Sequence, residues 1–208
     1  NFNSTFNQAN PMLNLTGGAV TTIGWNKFKH TGSAPSGTSV LMQNMTGISI
    51  PDYIRAKEIS STGTHEYTID TDTGTGTAKQ ILFGGYQFKD ANVTPTTSDT
   101  TKDVWAGRSV IGNTTTNNIL TINGTSHRDA YGGWTAGTGA TTGNTVNLGS
   151  AANAVASGTT IGTIYGGNKA TDTGNTLNVN SRNASAADVK NFENVNFDAA
   201  HNVSHGDT

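Results

Sequence analysis

Asp103 and Asp129 each stand two residues before an aromatic residue, Trp105 and Tyr131, that is followed by small residues. If these segments stack as neighbouring strands, the two carboxylates come within about 5 Å of each other, the strand-to-strand spacing. Carboxylates that close raise each other's pKa, attract a cation, or are neutralised by a base. Arg108 and Arg128 are the bases at hand. Polysaccharide cleavage needs such carboxylates clustered with a base on one face. The other acids, Asp90, Asp172, Asp188 and Glu193, are scattered, so no catalytic residue is assigned.

Other candidates are weaker. Asp70-Thr71-Asp72-Thr73-Gly74 has the carboxylate spacing that opens a calcium loop, but its twelfth position is Ile81 where a bidentate Glu is required. A looser calcium corner is the only remaining metal reading there, and no metal or cofactor is expected. The five histidines, His30, His65, His127, His201 and His205, are dispersed and complete no nucleophile–base pair. His201 and His205 sit four apart in a polar tail and read as solvated. Trp134 and Tyr86 are the aromatic residues placed to stack on sugar faces at the surface.

What must position these groups is a repeat. Aromatic-small-small corners occur at Phe83-Gly84-Gly85, Trp105-Ala106-Gly107, Tyr131-Gly132-Gly133 and Tyr165-Gly166-Gly167. Three are followed by an alternating strand opened by Asn: Asn118-Ile119-Leu120-Thr121-Ile122, Asn144-Thr145-Val146-Asn147-Leu148 and Asn175-Thr176-Leu177-Asn178-Val179. The apolar pairs Leu120/Ile122, Val146/Leu148 and Leu177/Val179 share one phase, so they can stack as a dry column with the other face wet. Corner spacings of 22, 26 and 34 residues suit one turn of a β-solenoid. The surplus in the longest one falls between Leu148 and Tyr165, where residues 149–160 read as a surface loop. The corner aromatics Tyr131 and Tyr165 are expected to pack on one another as structural groups, with the glycines serving the sharp turn.

Composition fits this reading. Charged residues are 12% of the chain, net charge is −2, and Gly, at 26 residues, accompanies abundant Thr and Asn. Leu, Ile, Val and Phe make up roughly 18%, near the threshold for disorder, but the charge is too low for that class. Thr favours strands and Gly and Asn favour left-handed corners. Cys is absent, which rules out disulfides and thiolate metal sites. No basic patch points to nucleic acid or an anionic membrane, and no apolar run is long enough to span a bilayer. The polar opening Asn1-Phe2-Asn3-Ser4 is expected to begin a mature or excised piece of a longer chain.

Ala130-Tyr131-Gly132-Gly133-Trp134 with Gly143-Asn144-Thr145-Val146-Asn147-Leu148, and Ile164-Tyr165-Gly166-Gly167-Asn168 with Gly174-Asn175-Thr176-Leu177-Asn178-Val179, resemble the repeats of bacterial autotransporter adhesin passenger domains, the type V secreted surface proteins. Val189 to Phe197 is similar to the segment that closes such regions, and the resemblance covers residues 81–198. It implies a right-handed parallel β-helix, secretion across an outer membrane, and an extracellular place on the surface of a diderm bacterium. It also implies adhesion to a host or neighbouring-cell surface, glycan or protein, or self-association. The expected organisation is an irregular cover over 1–44, an all-β parallel β-helix over 45–198 and a tail or link over 199–208. The expected role is a non-enzymatic adhesin or self-associating structural segment. A polysaccharide-cleaving β-helix enzyme and a phage fibre or spike segment are the alternatives.

Overall fold

The computed structural model describes residues 2–3, 13–14, 30–31, 38–43, 60–72, 80–150, 159–181 and 184–197. These are strands, turns and extended segments, with no helix among them, so the described part of the chain is all-β. It divides into two compact units, Asn1–Tyr86 and Gln87–Thr208.

The first unit contains β1 (Phe2–Asn3), β2 (Leu13–Asn14), β3 (His30–Thr31), β4 (Thr38–Gln43), β5 (Ser60–Thr62) and β6 (His65–Asp72), and nearly all of β7 (Gln80–Gln87). Here β1 pairs with β3 and β2 with β4 in parallel, whereas β4 pairs with β7 and β5 with β6 antiparallel. Gly63, at φ +60°, supplies the left-handed residue of the tight β5–β6 hairpin. The Phe83 corner therefore lies in a strand that runs antiparallel to its β4 partner, with Phe83 opposite Ser39. Unlike the other three corners, it has no Asn-led strand after it, and Ala91 stands where that Asn would be.

The second unit is built of parallel strands. Its elements are β8 (Asn92–Val93), β9 (Val104–Ser109), β10 (Thr115–Thr116), β11 (Ile119–Ile122), β12 (His127–Thr135), β13 (Thr141–Thr142), β14 (Thr145–Leu148), β15 (Thr159–Gly167), β16 (Thr176–Val179), β17 (Ala184–Lys190) and β18 (Asn194–Phe197). They form a five-stranded sheet in the order β18-β16-β14-β11-β8, a four-stranded sheet β17-β15-β12-β9, and the pair β10-β13. Each strand thus pairs with its counterpart one repeat away. The sequence expectation places the start of the array near residue 45; in the structure the register-matched parallel repeats run from Asn92 to Phe197.

The shared phase of the apolar pairs is realised. Leu120 is opposite Val146 and Val146 opposite Leu177, while Ile122 is opposite Leu148 and Leu148 opposite Val179. Leu120, Ile122, Val146, Leu148 and Leu177 are buried, and Ala106, Ala130, Ile161 and Ile164 of the four-stranded sheet complete the same core. Alternation has left each strand one dry face, which parallel neighbours in register stack into a column. In the last strand Val195 and Phe197 keep the register opposite Leu177 and Val179, but they are 45% and 51% exposed. The 149–160 insertion leaves β14 through Gly149 and Ser150 and returns at β15; residues 151–158 lie outside the described residues, as do His201 and His205. Asp70 to Asp72 end β6, and the rest of the calcium-like stretch up to residue 79 is likewise outside them.

The column gives a direct test. Leu120→Ala should destabilise the second unit by about 2–5 kcal/mol, because it removes fully buried methyls from a packed interior. Ile119→Ala, one residue away on the outer face, should change stability by about 0.5 kcal/mol or less. Chemical denaturation of the two variants against the parent reads the difference, and equal losses would contradict the assigned faces.

Candidate functional site: an aromatic and polar face over a buried asparagine ladder

The repeat's two motifs meet inside the molecule. Asn118, Asn144 and Asn175, which open the three alternating strands, are fully buried. Asn118 Nδ2 donates to Asn144 Oδ1 at 2.8 Å, and Asn144 Nδ2 donates to Asn175 Oδ1 at 3.2 Å. The same oxygens accept backbone N–H groups: Ala91 N donates to Asn118, Asn118 N to Asn144 and Asn144 N to Asn175, at 2.9–3.1 Å. Asn118 and Asn144 Nδ2 also donate to the carbonyls of Phe88 and Thr115, and Asn175 Nδ2 donates to those of Thr141 and Asn191. Every rung of this ladder is therefore satisfied, as a buried amide must be.

The ladder accounts for several of the corner glycines. A Cβ on Gly107 would come within 2.2 Å of Asn118 Nδ2, one on Gly133 within 2.6 Å of Asn144 Nδ2, and one on Gly166 within 2.5 Å of Asn175 Cβ. None of these glycines has a left-handed φ, so the expectation that they serve a sharp turn is corrected: Gly107 and Gly133 make room for the amides, and Gly166 for the Asn191 carbonyl and the Asn175 side chain. Left-handed residues stand instead just before the ladder positions, at Asp90, Asn117, Gly143 and Gly174, with φ of 55°, 57°, 65° and 74°. There the chain turns into the five-stranded sheet, and Gly and Asn carry the least steric penalty.

Two consecutive inward small residues let the flanking side chains both point outward. In β12, Tyr131 and Trp134 are half-buried on either side of buried Gly132 and Gly133, and β9 and β15 repeat the pattern. Three columns result on the outer face of the four-stranded sheet. The aromatic column is Trp105, Tyr131 and Tyr165, register partners across three strands. The rings of Tyr131 and Tyr165 stack with centroids 4.6 Å apart and planes 3° from parallel. Mutual packing of these rings is as the sequence suggested; they are half-buried rather than core groups.

A polar column runs beside it. Arg128 Nε and Nη2 donate to the two oxygens of Asp103 at 2.7 and 2.9 Å, a bidentate pair between neighbouring strands. Asp129 Oδ1 accepts Thr163 N at 2.7 Å, and Asp188 pairs with Lys190 at 2.8 Å. Asp103 raises the affinity of Arg128 for its proton. Burial, then Asp103 and Asp129, hold the Tyr131 phenol above its ordinary value, so its hydroxyl stays protonated. The third column is Arg108, Trp134 and Asn168. The Arg108 Cζ lies 4.4 Å from the Trp105 ring centroid and 5.4 Å from that of Trp134. Of the two arginines offered as neutralising bases, Arg128 takes that role at Asp103, while Arg108 stacks on indoles.

The buried amides and the Arg108–indole contacts went unassigned in the sequence. Their signals were present: an Asn opening each strand after a left-handed residue, and a large side chain immediately after each small pair. Tyr86 is half-buried in β7, next to Gly84, whose Cβ would meet the Tyr86 ring at 2.7 Å. Among the described residues no group of three or more His, Cys, Asp and Glu side chains is placed to hold a metal ion.

Asn144→Ala should cost about 2–5 kcal/mol, since it strands donors and acceptors on both neighbouring rungs, each worth about 1–3 kcal/mol when buried unpaired. Asn147→Ala on the outer face should cost about 1 kcal/mol or less, a difference that urea titration resolves. His127 gives a pH signature. Burial lowers its pKa below the ordinary histidine value, with Asp99 opposing. The fold therefore favours neutral His127, and that stability is held above pH of about 6.5 and lost as pH falls through the depressed value. His127→Gln should flatten the acid-side slope of the stability–pH curve, and an unchanged slope would remove His127 from that account.

No protein-family model matches this chain, and no curated protein or solved structure shows a significant match to it.

Proposed function

We propose that the second unit is a right-handed parallel β-helix and that the protein is a non-enzymatic, secreted cell-surface protein of the autotransporter-passenger kind, acting through its faces in adhesion or self-association. The observation that carries this reading is the outer face of the five-stranded sheet. Ile119, Thr145, Thr176 and Asn194 form one register column there, and Thr121, Asn147, Asn178 and Asn196 form the next. The second column is a hydrogen-bonded ladder: Asn147 Nδ2 donates to Thr121 Oγ1, Asn178 Nδ2 to Asn147 Oδ1, and Asn196 Nδ2 to Asn178 Oδ1, at 2.8–3.2 Å.

No charged residue occurs in β11, β14, β16 or β18. Such a face meets a second copy or a neutral surface without like-charge repulsion and without stripping water from ions. Its amides are held in place by their neighbours, so little side-chain entropy is lost on contact. Many weak contacts in a fixed array suit reversible adhesion better than a single deep cleft does. An extracellular location on a diderm bacterium belongs to the same proposal, as does a partner that is a host or neighbouring-cell surface.

One observation favours the enzymatic alternative: Asp103 immediately precedes β9, and Asp129 lies in the neighbouring strand β12. Against it, both Asp103 oxygens are taken by Arg128, and Asp129 anchors a backbone amide. Analytical ultracentrifugation of the wild-type chain over a wide concentration range tests the adhesive reading, together with its binding to immobilised cells. Asn147→Lys combined with Asn178→Lys should lower association or cell binding by roughly tenfold or more, as like charges are set on the face. A chain that stays monomeric and binds no surface, or that releases reducing ends from a polysaccharide, would overturn it.

A further inference from the structure

Asn123-Gly124 is the one Asn-Gly pair in the sequence, and the fold places it at the exit of β11, directly after Ile122. Its amide is held differently from those of the ladder. Asn118, Asn144 and Asn175 are fully buried, and neighbouring rungs and carbonyls bind their side chains. Asn123 is only partly buried, and its Oδ1, though shielded from water, has no hydrogen-bond partner. Gly124 follows at φ +122°, a conformation that residues with a side chain rarely adopt, so no Cβ crowds its nitrogen. Among the described residues the Gly124 N–H is bonded to no backbone carbonyl.

We propose that Asn123 is a self-modification site, at which the Gly124 nitrogen attacks the Asn123 side-chain carbonyl carbon. The Gly124 N–Cγ bond forms and the Cγ–Nδ2 bond breaks. The Gly124 amide proton departs with the leaving amide as ammonia, and a five-membered succinimide remains. Water then opens the ring at either carbonyl, leaving aspartate or isoaspartate at position 123. Oxidation states do not change, and water is the only co-reactant. Nucleophile and electrophile sit on adjacent residues, so no ligand has to enter and the effective concentration is high. The Asn123 oxygen has no hydrogen bond to give up as the side chain turns towards Gly124. At Asn144 the same rotation would break contacts with the rungs on both sides.

The product sets a carboxylate at the end of a strand in a sheet where β11, β14, β16 and β18 carry no charge. Isoaspartate also adds a methylene to the backbone next to Ile122, whose carbonyl accepts Gly149 N at 2.9 Å. The inference goes beyond the adhesive reading and does not rest on it, since the reaction needs only these two residues and water.

The test is incubation of the full chain at mildly alkaline pH and body temperature, folded and in denaturant, with peptide mapping, ammonia release and isoaspartate methyltransferase labelling. In the folded chain, position 123 should convert at least about tenfold faster than Asn144 or Asn175, which react only after local opening. Its folded rate should stay within about tenfold of its rate in denaturant, whereas folding should suppress the two ladder asparagines far more. Asn123→Gln, which lengthens the side chain and removes the five-membered ring, should abolish the isoaspartate label on that peptide with circular dichroism unchanged. If that variant fails to fold, the folded-to-denatured ratio of the wild-type chain still decides. No conversion at 123, conversion no faster than at Asn144 and Asn175, or suppression on folding by much more than about tenfold would overturn the site. So would a label that survives Asn123→Gln.

Discussion

A buried amide hydrogen-bonded to the amide above and below it is the constraint from which the second unit follows. Asn118, Asn144 and Asn175 are removed from water, and a buried amide without partners costs about as much as several favourable contacts supply. Asn118 and Asn144 are satisfied because the next repeat places an identical residue one strand away, in register, and Asn175 ends the ladder on the carbonyls of Thr141 and Asn191. That requirement fixes the parallel register, demands a left-handed residue before each rung, and forbids a side chain on the opposing corner glycines. Corner, turn and strand are thus three consequences of one hydrogen-bonding pattern. The apolar column beside it supplies the area-dependent stabilisation, and the amides supply the register.

The interior being the same in every repeat, difference is left to the surface. The five-stranded sheet carries an uncharged array of hydroxyls and amides. The four-stranded sheet carries stacked aromatics, a carboxylate–guanidinium column and the Arg108–indole cluster. A neutral face suits broad, reversible contact with a like surface. The mixed aromatic and charged face is instead engaged in its own contacts, with Arg128 on Asp103 and Arg108 over two indoles.

Much of the second unit was legible in advance because period-two alternation and a repeated phase are local properties. Leu120, Val146 and Leu177 announce a common dry face however the chain closes. The first unit was less legible. Its Phe83 corner looks like the others, but it lacks the Asn-led strand that would make its partner, and its strand pairs antiparallel with β4. A local motif without its counterpart does not fix a register. In the surface site, Asp103, Asp129 and Arg128 were named as a group. Arg108 was placed with the carboxylates because a sequence shows its charge and not its direction; the structure lays it over the rings of Trp105 and Trp134.

The amino-acid order by itself determined the all-β class, the dry and wet faces of each repeated strand, and the positions where only Gly or Asn turns the chain cheaply, since backbone sterics and alternation act over a few residues. Tertiary structure alone decided that the leading asparagines are buried and linked, that Arg128 rather than Arg108 answers Asp103, and that Arg108 joins two indoles from adjacent strands. Those outcomes depend on which residues, 25 to 31 positions apart in sequence, become neighbours. Only the closed hydrogen-bond register makes that choice.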